Sequence, residues 1–337
     1  MTYLAGLAKG LEKLGGQIFS GCHVVGVKDG DAVTIELTGG AQIRAGKAVV
    51  ATASPINDWL VLHTKLAPYR TYTIAAPIDP GAVPDVLAWD TRDPYHYVRL
   101  AEHGGTTYAI VGGEDHRTGQ SDDETGALKR LEDWAAANYA IGAVAFRWSG
   151  QVMETLDGLA YIGPNPGDRN VYVAVGDSGM GMIHGTIAGM LIPALIDGRK
   201  HPWQAAYDPR RTPIGTAATF VSENLNVAKQ LVDFVKPSDV SALADIDVGE
   251  GAVLRHGLYK IAAYRDDHGK LHVRSAMCPH LGCVVQWNGF EKVWDCPCHG
   301  SQFDPTGRVL HGPAVQALPT VDDFNGENNP NLDPENA

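Results

Sequence analysis

The chain has 337 residues, 44% of them hydrophobic and 20% charged, the balance of an ordinary globular protein. That length accommodates roughly two domains of about 150 residues each, with room for a sizeable core. The net charge of -12 is spread along the chain without a basic run, which argues against a nucleic-acid surface and against docking on anionic lipid.

The first element read along the chain is helical. Leu4, Leu7, Ala8, Leu11 and Leu14 recur at helical spacing, with Lys9, Glu12 and Lys13 on the other face. This is the pattern of an amphipathic helix and not of a secretory leader. Short strand-like runs follow, "QIFSGCHVVGVKDG", "AVTIEL" and "KAVVATAS", separated by glycine-rich turns. Cys22 within them reads as a small buried hydrophobe.

Residues 65–148 read as mostly β, with one polar helical stretch over 122–139 whose acidic face is expected to be solvated. An apolar strand over 171–175 then leads through a glycine-rich turn into a helix ending near 197–198. The longest apolar run, 182–196, is interrupted by His184, Gly185, Gly189 and Pro193 and is shorter than the ~20 residues of a membrane span. No transmembrane segment is expected, and the chain reads as cytoplasmic.

Residues 200–216 read as a Pro- and Arg-rich connector, followed by a helix that Pro237 ends. From 239 to 322 short strands alternate with turns, the signature of a small all-β domain. The polar tail 323–337 reads as disordered. The expected division is 1–205, a connector and helix over 206–238, a domain over 239–322, and the tail.

Four of the 5 cysteines fall within 278–300, in two loops: Cys278-Pro279-His280-Leu281-Gly282-Cys283 and Cys296-Pro297-Cys298-His299-Gly300-Ser301. Cysteines clustered in this way in a cytoplasmic chain suggest a metal site more than a disulfide framework. The intervening "VVQWNGFEKVWD" reads as a β-hairpin turning near Asn288 and Gly289, which would bring the loops side by side. Each loop then offers one Cys and one His. A tetrahedral Cys2His2 zinc site is compatible with four such ligands, but it leaves two cysteines idle and gives no role to Pro in both loops or to Gly and Ser after His299. His256, His268 and His272 lie outside the loops and read as surface residues.

This stretch resembles the Rieske family, in which two cysteines hold one iron of a [2Fe–2S] cluster and two histidines hold the other. The resemblance implies Cys278 and Cys296 on one iron and His280 and His299 on the other. It implies a Cys283–Cys298 disulfide, a hydroxyl of Ser301 bonded to a cluster sulfur, and a shielding third loop at Gly312-Pro313-Ala314. Many high-potential members carry Tyr where this chain has Phe303. The missing hydroxyl implies a lower potential, because fewer hydrogen bonds to sulfur stabilise the added electron less.

The strand and glycine-rich turn Gly176-Asp177-Ser178-Gly179-Met180-Gly181 could hold a dinucleotide or anion, or could simply permit tight strand–helix packing. Preceded by "RWSGQVMETLDGLAYIGPNP", with Trp148, Gly150, Asp157, Gly158 and Gly163 in order, it resembles the C-terminal portion of FAD-dependent oxidoreductases of the glycine/D-amino-acid oxidase type. The resemblance implies FAD, with Val24 near adenine, Ala51 and Thr52 near the diphosphate and ribose, and Gly176, Asp177, Gly179, Met180, Gly181 and Met182 toward the flavin. It implies a multidomain α+β chain: a partial FAD-dependent oxidoreductase, with a remnant of the α/β nucleotide-binding fold and a mixed β substrate region, then an all-β Rieske domain. The family opens with a strand and a G-x-G-x-x-G turn on the pyrophosphate. None precedes residue 53, which implies either a truncated or split product, with a missing N-terminal flavoprotein half as a further partner, or an oxidase domain that has become a scaffold.

The resemblances together imply an oxidoreductase in which a flavin oxidises an amine or amino-acid-like substrate and the cluster relays single electrons to a separate acceptor. No catalytic residue of the flavin part can be assigned. Arg99 or Tyr97 could hold a substrate carboxylate, although a solvated strand face accounts for both more simply. The alternatives are a non-enzymatic Rieske carrier with a structural N-terminal part, and a zinc-stabilised interaction module.

Overall fold

The computed structural model describes residues 2–57, 62–121, 123–212, 216–231, 237–257 and 259–321. The expected tail, 323–337, lies outside the described residues.

Helix α1 (Thr2–Lys13) forms where the spacing predicts, yet none of its residues is buried. Strands β1 (Val24–Lys28), β2 (Val33–Leu37) and β3 (Gln42–Ala45) make an antiparallel meander. Cys22, just before it, is exposed, contrary to the expectation of a buried thiol. It falls in the polar, non-strand approach to β1, where no apolar layer covers it.

Strand β4 (Ala48–Val50) is followed by a single 3-10 turn, His63–Lys65. Next come β5 (Leu66–Pro77), β6 (Ala88–Trp89), β7 (His96–His103), β8 (Thr106–Arg117), helix α2 (Glu124–Asn138) and β9 (Phe146–Thr155). They build a five-stranded antiparallel sheet in the order β6-β7-β8-β5-β9. Asp123 caps α2 by accepting from the Gly126 N–H at 2.9 Å.

Strands β10 (Tyr161–Pro164) and β11 (Val171–Val175) join β4 in a second small sheet, with β11 parallel to β4. Helix α3 (Gly181–Ile196) packs on β10 and β11 through Ala188, Leu191 and Ile192. The segment read as a connector is anchored. It contains α4 (Gln204–Tyr207), and Arg211 forks onto Asp157 at 2.8 and 3.0 Å while lying 4.0 Å over the Tyr161 ring. Helix α5 (Ala217–Leu231) follows and returns to the 3-10 turn, where Asn224 donates to the Thr64 carbonyl at 2.9 Å.

The C-terminal part is all β. Strands β12 (Gly251–His256), β13 (Tyr259–Arg265) and β14 (Leu271–Ser275) form one sheet. Strands β15 (Gln286–Asn288), β16 (Val293–Asp295), β17 (Gln302–Phe303) and β18 (Val309–His311) form the other. The expected hairpin is β15–β16, with Trp287 opposite Trp294. Trp294, Phe303, Val253 and Val285 fill the core beneath the four cysteines of the two loops. His272 is partly buried, and its Nε2 meets Asp266 at 2.8 Å, so it is tied down more than a surface residue would be.

Alternation along β5 gives the five-stranded sheet two distinct faces. Tyr72 and Ile74 point to the side covered by α2. Pro68 and Arg70 lie on the same side and meet the C-terminal part. Tyr69, Thr71 and Thr73 point the other way, and Thr73 bonds Tyr97 at 3.2 Å. Among the described residues, no helix is long and apolar enough to cross a membrane.

Candidate functional site

The two cysteine loops are built alike. In the first, the Cys278 N–H donates to the carbonyl of Cys283 and the Gly282 N–H returns to that of Cys278, both at 2.9 Å. In the second, the Cys296 N–H donates to the Ser301 carbonyl at 2.8 Å and the Gly300 N–H returns to that of Cys296 at 3.1 Å. Gly300 has φ +77, and a Cβ there would come 2.7 Å from Pro68 and Gln151. The position therefore admits no side chain, on backbone and on space.

A disulfide between Cys283 and Cys298 fastens the loops to each other. Cys278 and Cys296 remain as thiols, both buried. The sulfurs of Cys283, Cys296 and Cys298 also lie within 4.8 Å of one another, but the disulfide consumes two of them as ligands. The available thiols are thus Cys278 and Cys296, which are hydrogen-bonded to each other. The bond from Cys296 pulls the Cys278 thiol down and holds the Cys296 thiol up. Backbone N–H groups of His280 and Leu281 and the Ser301 hydroxyl point at the Cys278 sulfur; those of Cys298 and His299 point at Cys296. Ser301 Oγ also accepts from the Ala314 N–H at 2.9 Å, which draws the third loop, 312–314, over the pair.

The same two loops carry two imidazoles. The rings of His280 and His299 lie 5.0 Å apart at 88°. Burial depresses both pKa values, to about 4 for His280 and about 3 for His299, where His63 and His280 add to it. Both histidines are neutral near pH 7, the form that binds a metal. His299 Nδ1 is buried without a hydrogen-bond partner, a costly state for a polar atom unless a metal takes the lone pair. As a donor set, two thiols with N–H donors at their sulfurs and two neutral imidazoles fit a [2Fe–2S] cluster.

The N-terminal part approaches this site closely. Arg70, 2% exposed, spans both oxygens of Asp295 at 2.8 and 2.9 Å and reaches Glu291 and Ser149 at 2.8 Å each. Asn288 and Gln302 each donate to Asp295 at 3.0 Å. Burial pushes the Asp295 carboxyl up; Arg70 and the two amides oppose it. His63 packs on both cluster-side histidines, 4.5 Å from the His280 ring and 5.2 Å from the His299 ring. Neither Arg70 nor His63 carries a sequence signal. Each is a lone residue whose partners in the C-terminal part lie more than two hundred positions away.

The structure brings together most of the flavin-side residues. Parallel pairing sets the carboxyl ends of β4 and β11 side by side. Ala51 and Thr52 leave one end and Gly176 and Asp177 the other, and the Gly176 N–H donates to the Ala53 carbonyl at 2.8 Å. The crevice at the carboxyl ends of parallel strands is where open α/β folds bind nucleotides. Gly176 has φ +68, and a Cβ there would strike Leu66 at 2.4 Å. Gly179 faces Val152, while Met180 and Met182 at the start of α3 are about half exposed. Val24 stands apart, on the meander.

Tyr97 and Arg99 share the sheet face that points away from the cluster loops. Sequence reasoning missed two buried carboxyls that both act on Tyr95. Burial raises the carboxyls of Asp115 and Glu154, and raises Tyr95 between them to about 12.

Residues 1–195 match the FAD dependent oxidoreductase family, and residues 236–322 match the Rieske [2Fe-2S] domain. These matches imply FAD and a [2Fe–2S] cluster. The chain is similar to the Rieske 2Fe-2S iron-sulfur protein YhfW of Bacillus subtilis (strain 168), 28% identical over 326 residues, covering 96% of this chain and 64% of that protein. It is also similar to the cytochrome b6-f complex iron-sulfur subunit of Synechococcus sp. (strain JA-3-3Ab), 42% identical over 89 residues, covering 26% of this chain and 52% of that one. The chain therefore spans less than two thirds of the length of these relatives. Among solved structures, glycine oxidase from Geobacillus kaustophilus shares the fold with a TM-score of 0.50 at 18% identity, over 62% of this chain and 57% of that one.

Proposed function

The chain belongs to the FAD dependent oxidoreductase family and carries a Rieske [2Fe-2S] domain, and on that premise we propose that it couples oxidation of an amine or amino-acid-like substrate to single-electron transfer. Bound FAD takes two electrons as hydride, and the cluster passes electrons singly to an acceptor. The observation that carries this reading is the seam: the two thiols and two imidazoles gather in loops seated directly on the N-terminal part.

In this reading Cys278 and Cys296 hold one iron, and His280 and His299 the other. The backbone N–H groups and Ser301 stabilise negative charge on the sulfurs, and Gly312 and Pro313 cover them. Ala51, Thr52, Gly176, Asp177, Gly179, Met180, Gly181 and Met182 line the FAD site, with Val24 at its adenine end. The substrate lies on the sheet face of Tyr97 and Arg99. Strand β4 is the edge of a parallel pair, and parallel sheets are normally covered and continued. That supports a nucleotide-binding segment beside β4 as the partner that completes the flavin site. A redox protein and a cytoplasmic address complete the proposal.

Purified protein reconstituted with iron and sulfide, with and without FAD, tests it. The expected result is a rhombic EPR signal on reduction together with a bound-flavin absorption spectrum. EPR without flavin under every condition would reduce the function to electron carriage. Colourless protein containing zinc would overturn the reading.

A further inference from the structure

All three loops around the candidate cluster site face the N-terminal part of the chain. A Cβ at Gly312 in the third loop would lie 3.2 Å from Ile56. Gln151 donates to the Gly300 carbonyl at 2.9 Å, and Gln120 to that of Pro297 at 3.1 Å. A cavity of ≈ 280 Å³ in this contact zone is lined by Thr52, Arg70, Gln151, Gln302, His311 and Gly312.

At its centre is His63, 2% exposed, with its ring against both His280 and His299. Only His280 retains appreciable exposure; His299 is 5% exposed. Three residues on, Leu66 abuts Gly176 of the glycine-rich turn. One 3-10 turn, rising ~2 Å per residue, therefore joins the histidine edge of the cluster site to the candidate flavin turn. The Arg70–Asp295 pair beside it fixes the spacing.

We propose that His63 is a positioning residue that closes the two-histidine edge of the cluster and commits that edge to electron exchange within the chain. The proposal rests on the cluster reading above. With both groups bound, the reduced flavin of the same protein would supply the electron and the cluster iron that His280 and His299 would hold would accept it. No bond is made or broken at His63. Because the pathway is fixed by packing, the cluster domain stays seated during exchange, and an external carrier is slow at the closed edge.

The test uses the full chain with its cluster reconstituted, as wild type, His63→Ala and His63→Phe. Oxidised protein is mixed with hexaammineruthenium(II), and cluster reduction is followed by stopped-flow absorbance, with midpoint potentials measured in parallel. Opening the edge in His63→Ala removes the ring that packs on both His280 and His299 and raises the rate above that of wild type. His63→Phe retains the ring and stays at the wild-type rate. In wild type itself, pulsed EPR finds the His299 imidazole proton still present after brief transfer to D2O. Equal rates in all three proteins, a fast His63→Phe, or immediate deuteration of His299 would each overturn the role of His63 while leaving the cluster reading intact. No rhombic signal in reduced wild type overturns both.

Discussion

Replacing Arg70 by Met tests whether the seam is held by charge. The change removes the guanidinium that spans Asp295 at 2.8 and 2.9 Å. Asp295, 1% exposed, keeps only the Asn288 and Gln302 amides at 3.0 Å each. Removing one partner of a buried pair costs about 3–5 kcal/mol. The surviving amides place this case near the lower end, about 3 kcal/mol, or roughly 160-fold in an unfolding equilibrium. Glu291 adds little, since its side chain is 23% exposed and screened. Arg70→Met combined with Asp295→Leu deletes both charges and recovers about 2 kcal/mol of that loss. Urea unfolding followed by tryptophan fluorescence, dominated at the core by the buried Trp294, gives all corners of the cycle. A single-variant cost below about 1 kcal/mol, or a double variant equal to the sum of the singles, would refute the reasoning.

Phe303→Tyr is expected to raise the midpoint potential, since a hydroxyl there would donate toward cluster sulfur; redox titration showing no rise contradicts this. Replacing Cys283 and Cys298 by Ser opens a loop of sequence separation 15; it is expected to cost about 3 kcal/mol and to make the cluster labile, read as loss of EPR amplitude with time. The folded pKa values of about 4 for His280 and about 3 for His299 lie below the unfolded value of about 6.5. Unfolded chains therefore take up protons first as pH falls. Stability of the metal-free chain is expected to be full above that unfolded value and to decline on acidification until the folded histidines protonate. Denaturation midpoints that stay flat across this window would contradict the burial of the pair.

The sequence exposed the parts of this molecule whose chemistry is local. Two loops of six residues carry their cysteines, histidines and glycines within their own spans, so spacing locates the loops, and the resemblance they carry implies which residues are ligands and which pair as a disulfide. The hairpin joining them was legible from alternation, although it turns over residues 289–292, just beyond the expected Asn288–Gly289. The glycine-rich turn was legible for the same reason. The seam was not, because its terms are long-range: Arg70 and Asp295 are separated by 225 residues, and nothing around Arg70 distinguishes it from a solvated strand arginine. His63 is likewise a single histidine in an unremarkable stretch. Cys22 and α1 show the converse failure. Apolar character predicts a buried face only when another element arrives to cover it, and pattern within a segment is silent about that arrival.

Alternation along β5 has a consequence for how such a protein can change over evolutionary time. Pro68, Arg70 and Tyr72 answer to one neighbourhood, and Tyr69, Thr71 and Thr73 to another. Point substitutions on either side can drift separately, so the face of Tyr69, Thr71 and Thr73 could diversify while the contact of Arg70 with Asp295 on the reverse side is inherited unchanged. Insertions and deletions have no such freedom. Losing one residue before Pro68 would exchange the two sets wholesale, turning the guanidinium toward the wrong compartment and a threonine toward the carboxylate. Homologues of this chain are therefore expected to vary in residue identity along this strand while preserving its count.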